Sequence, residues 1–292
     1  MSNLKDKLTS GTFAVTAELS PPKGTNLDSL YEKADLLKDK VTAFNLTDSY
    51  TAKMAMVPLA AARLLLDRGV ESILQLTCRD RNRIALQADL LGAGAMGIGN
   101  VVCMGGDPPT IGDHPEAKPV FDFDAVGLLG AVKSLTEGAD INGNALRGTP
   151  EFFAGAVANP GADDLDFELS RVQLKIDAGA QFFQTQAVYD PADYERYAEA
   201  TAGMGVPMLP SIIMLKSADM ARFLNEKVPG ITVPEAIIND MEKAETPEER
   251  SQVSVQIAAR TIRGLQGMCQ GVHLIAAGWE SRLPRVLEEA GL

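Results

Sequence analysis

The sequence predicts one (β/α)8 barrel formed by residues 1–292. Two observations predict it. Short β-rich runs alternate strictly with longer amphipathic stretches, the pattern of parallel strands joined by right-handed helical crossovers. There are eight such units in a chain of 292 residues, with no shift of composition that would mark a linker, and that number suits a closed barrel better than an open doubly wound sheet.

The elements follow in order. "TFAVTAEL" reads as the first strand and "LDSLYEKADLLKD" as the first crossover helix. "VTAFNLT" precedes the helical stretch "TAKMAMVPLAAARLLLDRG", and "ESILQLTC" precedes "RNRIALQADLLGAGA". "NVVCMGG" is followed by a Pro/Gly-rich loop and then "FDAVGLLGAVKSLTEG". "EFFAGAVAN" pairs with "LDFELSRVQLKIDAGA", and "QFFQTQ" with "PADYERYAEATAG". "PMLPSIIML" precedes "SADMARFLNEKV". The long helix "PEERSQVSVQIAARTIRGLQGM" leads to the last strand, "GVHLIAA", and "LPRVLEEAG" closes the chain.

A hydrophobic content of 46% is ample for one large core. The formal charge of −12 argues against nucleic acid or an anionic membrane as partner, because both select clustered Lys and Arg. Three cysteines, Cys78, Cys103 and Cys269, form no CxxC pair and read as reduced core thiols. No apolar run is long enough for a bilayer span or a signal peptide, so the expected location is the cytoplasm. His114 and His273 lack ligand partners at metal spacing, so no metal site is expected, and His273 reads as a structural strand residue.

A barrel gathers the C-terminal ends of its strands around one mouth, where such folds keep their chemistry. Those ends are Glu18, Thr47, Thr77, Asp107, Asn159, Gln186 and the "MLKS" stretch at 214–217. "AELSPP" and "GGDPP" both end as acid plus Pro-Pro, and proline stops a strand ladder at a fixed point. "GAGAMG" at 92–97 matches a dinucleotide fingerprint, but a helix precedes it and a strand follows, the reverse of what that fingerprint requires. Its glycines read as a helix end and a turn at the barrel bottom.

"AELSPP", "QLTCRDRNRIALQADLLGAGAMGIGNVVCMGGDPP", "DAGAQFFQTQAVYD" and "SADMARFLNEKVPGI" together resemble the methylenetetrahydrofolate reductases, in order and over essentially the whole chain. The resemblance implies a barrel holding FAD, which takes hydride from NADH or NADPH and passes it to 5,10-methylenetetrahydrofolate. It implies Glu18 as general acid, Asp107 facing folate and flavin, and Gln186 binding folate. For FAD it implies Thr47, Thr77, Gly106, Asp107, Asn159 and Lys175. Opening the folate's five-membered ring needs a proton at the leaving nitrogen, and a positioned carboxylic acid supplies about 10²–10⁴-fold in such steps.

The chain departs from the better-known bacterial members at four places. It has Ala218 where they carry an aromatic ring after the seventh strand, and Gly105 where they carry Arg. Asn159 replaces an aromatic and Gln75 a histidine. Two alternatives therefore stay open beside the nicotinamide-linked enzyme: electrons from a partner protein such as reduced ferredoxin, or a non-catalytic folate- and flavin-binding subunit. The helix faces also permit a homo-oligomer. Whether the methyl group serves methionine synthesis is left open.

Overall fold

The computed structural model describes residues 2–292. Eight parallel strands close on themselves in chain order: β1 Ala14–Leu19, β2 Ala43–Leu46, β3 Ser72–Thr77, β4 Asn100–Met104, β5 Phe153–Ala158, β6 Phe182–Ala187, β7 Met208–Ile213 and β8 Gly271–Ile275. The crossovers are α2 Asp28–Leu37, α3 Pro58–Leu66, α4 Arg83–Ala95, α5 Ala125–Thr136, α6 Leu165–Asp177, α7 Pro191–Thr201, α8 Ala218–Lys227 and α10 Pro247–Leu265, with α11 Leu283–Ala290 at the end. The single-domain (β/α)8 barrel and all eight strands agree with the sequence reading.

Side chains alternate across each strand as the pleat requires. Val15, Phe44, Leu74, Val101, Ala154, Phe183 and Met208 face the helices in one large core. Their neighbours Ala14, Ala43, Ile73, Val102, Phe153, Phe182 and Leu209 fill the barrel's lower interior. Phe153 and Phe182 stack there at 4.9 Å between ring centres. Gly155 makes the stack fit, since a Cβ on it would lie 2.4 Å from the Phe182 ring.

Two helices were not legible in the sequence. The first, α1 (Asn3–Thr9), plugs the bottom of the barrel with Leu4 and Leu8, which are 0% and 4% exposed. Its free N-terminal amides are satisfied at long range. The Glu71 carboxylate accepts from Asn3 N at 2.8 Å and Leu4 N at 3.0 Å, a favourable place for an anion. The second, α9 (Glu235–Lys243), buries Ile237, Ile238 and Met241 against α8. Both are short, and helices of that length take their stability from packing rather than from propensity.

One expected helix starts later than the sequence suggested. "TAKMAMV" forms no α-helix: Thr51 and Ala52 end a short 3-10 turn (Tyr50–Ala52), residues 53–57 are irregular, and α3 begins at Pro58, which sits in the first turn with Val57 extended before it. The residues released, 51–57, form part of the barrel mouth. At the opposite end, "GAGAMG" closes α4, and Gly97 turns the chain in the left-handed region, φ +81°. The reverse order of helix and strand that excludes a dinucleotide fingerprint is therefore the observed one.

Candidate active site

The mouth is built around the two acid–Pro-Pro loops. Glu18 is the penultimate residue of β1 and pairs in register with Asn45 of β2. Its side chain is 14% exposed, with Oε2 3.9 Å from His273 Nε2. Asp107 lies three residues beyond β4 and is exposed. Before it, Gly106 takes φ +92°, and a Cβ there would meet Thr77 Cβ at 2.8 Å. Only glycine lets this loop lie flat against the end of β3. Gly105 has nothing within 4 Å of the same position and opens onto free space.

Thr77 ends β3, and Thr47 directly follows β2; both are buried. Asp48 holds this quarter together. Its Oδ2 accepts from Thr77 N at 2.8 Å and Thr77 Oγ1 at 2.9 Å, and pairs with Arg81. Arg79, 2% exposed, donates to the carbonyls of Asp48, Ser49 and Asp107, each at 3.4 Å. The "CRDR" stretch thus fixes the loops after β2 and β4 to each other.

Gln186 owes its setting to Pro210. Between the register pairs Gln184↔Leu209 and Ala187↔Ser211, two residues of β6 oppose the single Pro210 of β7. Proline has no N–H for the ladder, so β6 bulges there. The Thr185 carbonyl is instead satisfied by the Ser211 hydroxyl. Gln186 sits half-buried on the bulge.

Lys175 and Asn159 form a separate group at the end of β5. Lys175 is buried on α6, its Nζ donating to Val157 O at 2.6 Å. Burial pushes its ammonium below the usual lysine range, partly countered by Glu168. Glu168, itself 5% exposed, accepts from Asn159 N at 2.8 Å. The Asn159 side chain turns back to Gly161 N and packs against Gly230. The structure therefore keeps the Lys175 ammonium inside the wall behind β5, apart from the acids of the mouth. Ala218, in the first turn of α8, is 8% exposed and packed in the α8–α9 core. Lys216 immediately precedes the cap residue Ser217 and is exposed.

Tyr50 carried no sequence signal. It stands in a turn where Ser49, Thr51 and Ala52 all have φ between +51° and +54°. Non-glycine residues in that region cost roughly 1–2 kcal/mol each. The turn is held from both sides: Met56 N donates to Pro22 O, and Met54 N to Asp113 Oδ1, each at 2.9 Å. Tyr50 is 58% exposed. Partial burial of the phenol, then the charges of Glu18 and Asp107, push it above the usual tyrosine range. Both acids therefore lie within electrostatic range of the Tyr50 phenol.

His273 also differs from its sequence reading. It is buried in the strand as expected, yet it faces Glu18 rather than plain core. The three cysteines are buried and unpaired, and burial raises the thiols of Cys78 and Cys269 to about 11. Among the described residues no cluster of His, Cys, Asp or Glu could hold a metal, and no helix is long and apolar enough to cross a membrane. A cleft of about 1100 Å³ lies at the other end of the barrel, beside α1, far from these acids.

The family model described as methylenetetrahydrofolate reductase matches residues 3–291. Methylenetetrahydrofolate reductase 2 of Schizosaccharomyces pombe is 23% identical over 313 residues, covering 99% of this chain and 47% of that protein. The 5,10-methylenetetrahydrofolate reductase of Pectobacterium carotovorum is 26% identical over 264 residues, covering 87% of this chain and 81% of that one. The chain thus spans about half the length of its fungal relatives. Among solved structures, a Clostridium thermocellum protein that binds two copies of 5-methyl-5,6,7,8-tetrahydrofolic acid shares the fold at a TM-score of 0.63 and 17% identity, covering 99% of this chain and 98% of that one. With its barrel, its two acid–Pro-Pro strand ends and a family match over nearly every residue, the chain belongs to the methylenetetrahydrofolate reductase family.

Proposed function

We propose that this protein reduces 5,10-methylenetetrahydrofolate to 5-methyltetrahydrofolate, using FAD at the barrel mouth and NADH or NADPH as hydride source. The observation that carries this reading is the pairing of two acids in unlike surroundings: Glu18 recessed in the barrel and Asp107 exposed beside a glycine loop. When bound, FAD would take hydride from the nicotinamide and deliver it to the folate in two separate half-reactions.

The residues present fit such a group. The bare face at Gly105 admits a flat ring close to the backbone, which a side chain there would block, while Gly106 keeps the loop flat against β3. Thr47, Thr77, Gly106, Asp107 and Asn159 would hold it, with Lys175 acting at one remove by fixing the end of β5 through Val157 O. Glu18 gives its proton to the folate ring nitrogen as the ring opens. The Asp107 carboxyl group, facing the same opening, stabilises the cation that results. Gln186 offers both a donor and an acceptor to the pterin edge without adding charge.

A second reading is favoured by one observation. Ala218, small and packed in the α8–α9 core, leaves that place without a ring to stack on a nicotinamide. Electrons would then come from a partner protein such as reduced ferredoxin. One experiment separates the readings. The protein is loaded with FAD, reduced anaerobically by light, and mixed with methylenetetrahydrofolate while flavin absorbance is followed. Rapid reoxidation with methyltetrahydrofolate formed supports the reductase, and NADH or NADPH is then compared with reduced ferredoxin as donor. Firmly bound flavin with no reoxidation refutes it, and failure to retain flavin favours a non-catalytic subunit.

A further inference from the structure

A chain of buried polar side chains crosses the barrel interior beneath Glu18. Thr16 and Asn45 are 0% exposed, Gln184 4% and His273 3%. The Asn45 and Gln184 amides bond reciprocally: Asn45 Nδ2 donates to Gln184 Oε1 at 2.7 Å, and Gln184 Nε2 to Asn45 Oδ1 at 2.9 Å. Gln184 Nε2 also donates to Thr16 Oγ1 at 3.3 Å. Thr16 Oγ1 lies 2.9 Å from His273 Nδ1. His273 Nε2 points to Glu18 Oε2 at 3.9 Å.

The protons along this chain can be assigned. Thr16 Oγ1 accepts from Gln184, and its own hydrogen has two acceptors in reach, His273 Nδ1 at 2.9 Å and the Val272 carbonyl at 3.5 Å; the shorter contact, to Nδ1, takes it. Nδ1 is then bare, and the neutral imidazole carries its proton on Nε2, facing the acid. Amides do not relay protons, so the chain ends at Gln184 and Asn45 and serves to orient.

We propose that Thr16, Asn45 and Gln184 lock His273 as the Nε2–H tautomer, and that His273 is the positioning residue for Glu18. The Nε2–H is directed at Oε2, which leaves the transferable proton of Glu18 on Oε1, toward the mouth. At 3.9 Å the contact is longer than a hydrogen bond. It closes by a small rotation, or through one water, once Glu18 has given up its proton and become an acceptor only. This inference rests on the general-acid role of Glu18 proposed above, but the tautomer can be tested without it.

The test combines a spectrum with kinetics on the full chain. The protein has two histidines, His114 and His273, so ¹⁵N-histidine labelling gives two sets of signals, and His273→Gln identifies one. At neutral pH, His273 should show a directly bonded proton on Nε2 and none on Nδ1. Thr16→Val removes the hydroxyl at nearly constant volume. It should slow the folate half-reaction by about 10- to 100-fold, less than loss of an acid at about 10²–10⁴-fold, with little change in flavin reduction by its donor. Thr16→Ser should restore the rate. His273→Gln keeps an N–H donor near the Nε2 place and should retain more activity than His273→Leu. A proton on Nδ1, an unslowed Thr16→Val, or equal slowing of both half-reactions would overturn the proposal. If wild-type protein itself ignores folate, the general-acid reading fails, while the spectrum still decides the tautomer.

Discussion

Gly106→Ala is the substitution whose cost the structure defines most closely. The residue sits at φ +92°, where an L side chain costs about 1–2 kcal/mol. The new methyl would stand 2.8 Å from Thr77 Cβ, 3.1 Å from Thr77 Cγ2 and 3.3 Å from Arg79 Cβ. Thr77 cannot yield freely, because its hydroxyl and amide both bond to the Asp48 carboxylate. Loss of one hydrogen bond to a charged group costs about 1.5–3 kcal/mol. The total is about 2.5–5 kcal/mol, a large part of the roughly 5–15 kcal/mol that holds a domain folded. Urea unfolding measures it, with Gly105→Ala as the internal control: nothing lies within 4 Å there, and its cost should stay below about 0.5 kcal/mol. Flavin retention should fall for Gly106→Ala as the loop is pushed off β3. Equal stability of the two variants would refute the claim that close packing on Thr77 sets this loop.

Other predictions concern the acid, the ring, the loop clamp and the plug. Glu18→Gln should abolish folate reduction while flavin reduction by the donor survives; turnover of folate at the normal rate would remove Glu18 as the acid. Tyr50→Ala should weaken folate binding by up to about tenfold, the worth of one aromatic contact, and Tyr50→Phe should restore it; equal losses would assign the effect to the hydroxyl. Asp113 is held down to about 2 by Lys23 and the Met54 amide, against 3.8 unperturbed. Being depressed, it stabilises the folded loop in full above 3.8 and loses that contribution as pH falls through about 2. A carboxyl NMR titration with its midpoint near 3.8 would contradict the clamp. Leu4→Ala should cost about 2–5 kcal/mol in urea unfolding; a change under about 0.5 kcal/mol would show that α1 does not seal the barrel.

Much of the molecule was legible because its signals are local. Strand alternation, the Pro-Pro stops after Glu18 and Asp107, and the order of helix and strand around "GAGAMG" are properties of neighbouring residues. Neighbours also fix which strand ends meet, once the strands are parallel and closed. Pro210 within a strand is the one local sign of the bulge under Gln186, since proline cannot donate to the ladder there.

What stayed hidden depends on partners far apart in the chain. Asp48 caps Thr77, Glu71 caps α1, and Thr16 meets His273 across 257 positions. No periodicity encodes such a contact, because each residue is ordinary until the barrel closes around it. Lys175 illustrates the same point from the other side: its motif marks the position, but only the fold directs its ammonium into the wall behind β5. The sequence by itself determined the barrel and which strand ends crowd its mouth, since hydrophobic period and proline act within a few residues. Only the tertiary structure decided that His273 faces Glu18 and that Tyr50 feels the charge of both acids, because both follow from closure bringing distant segments within electrostatic range.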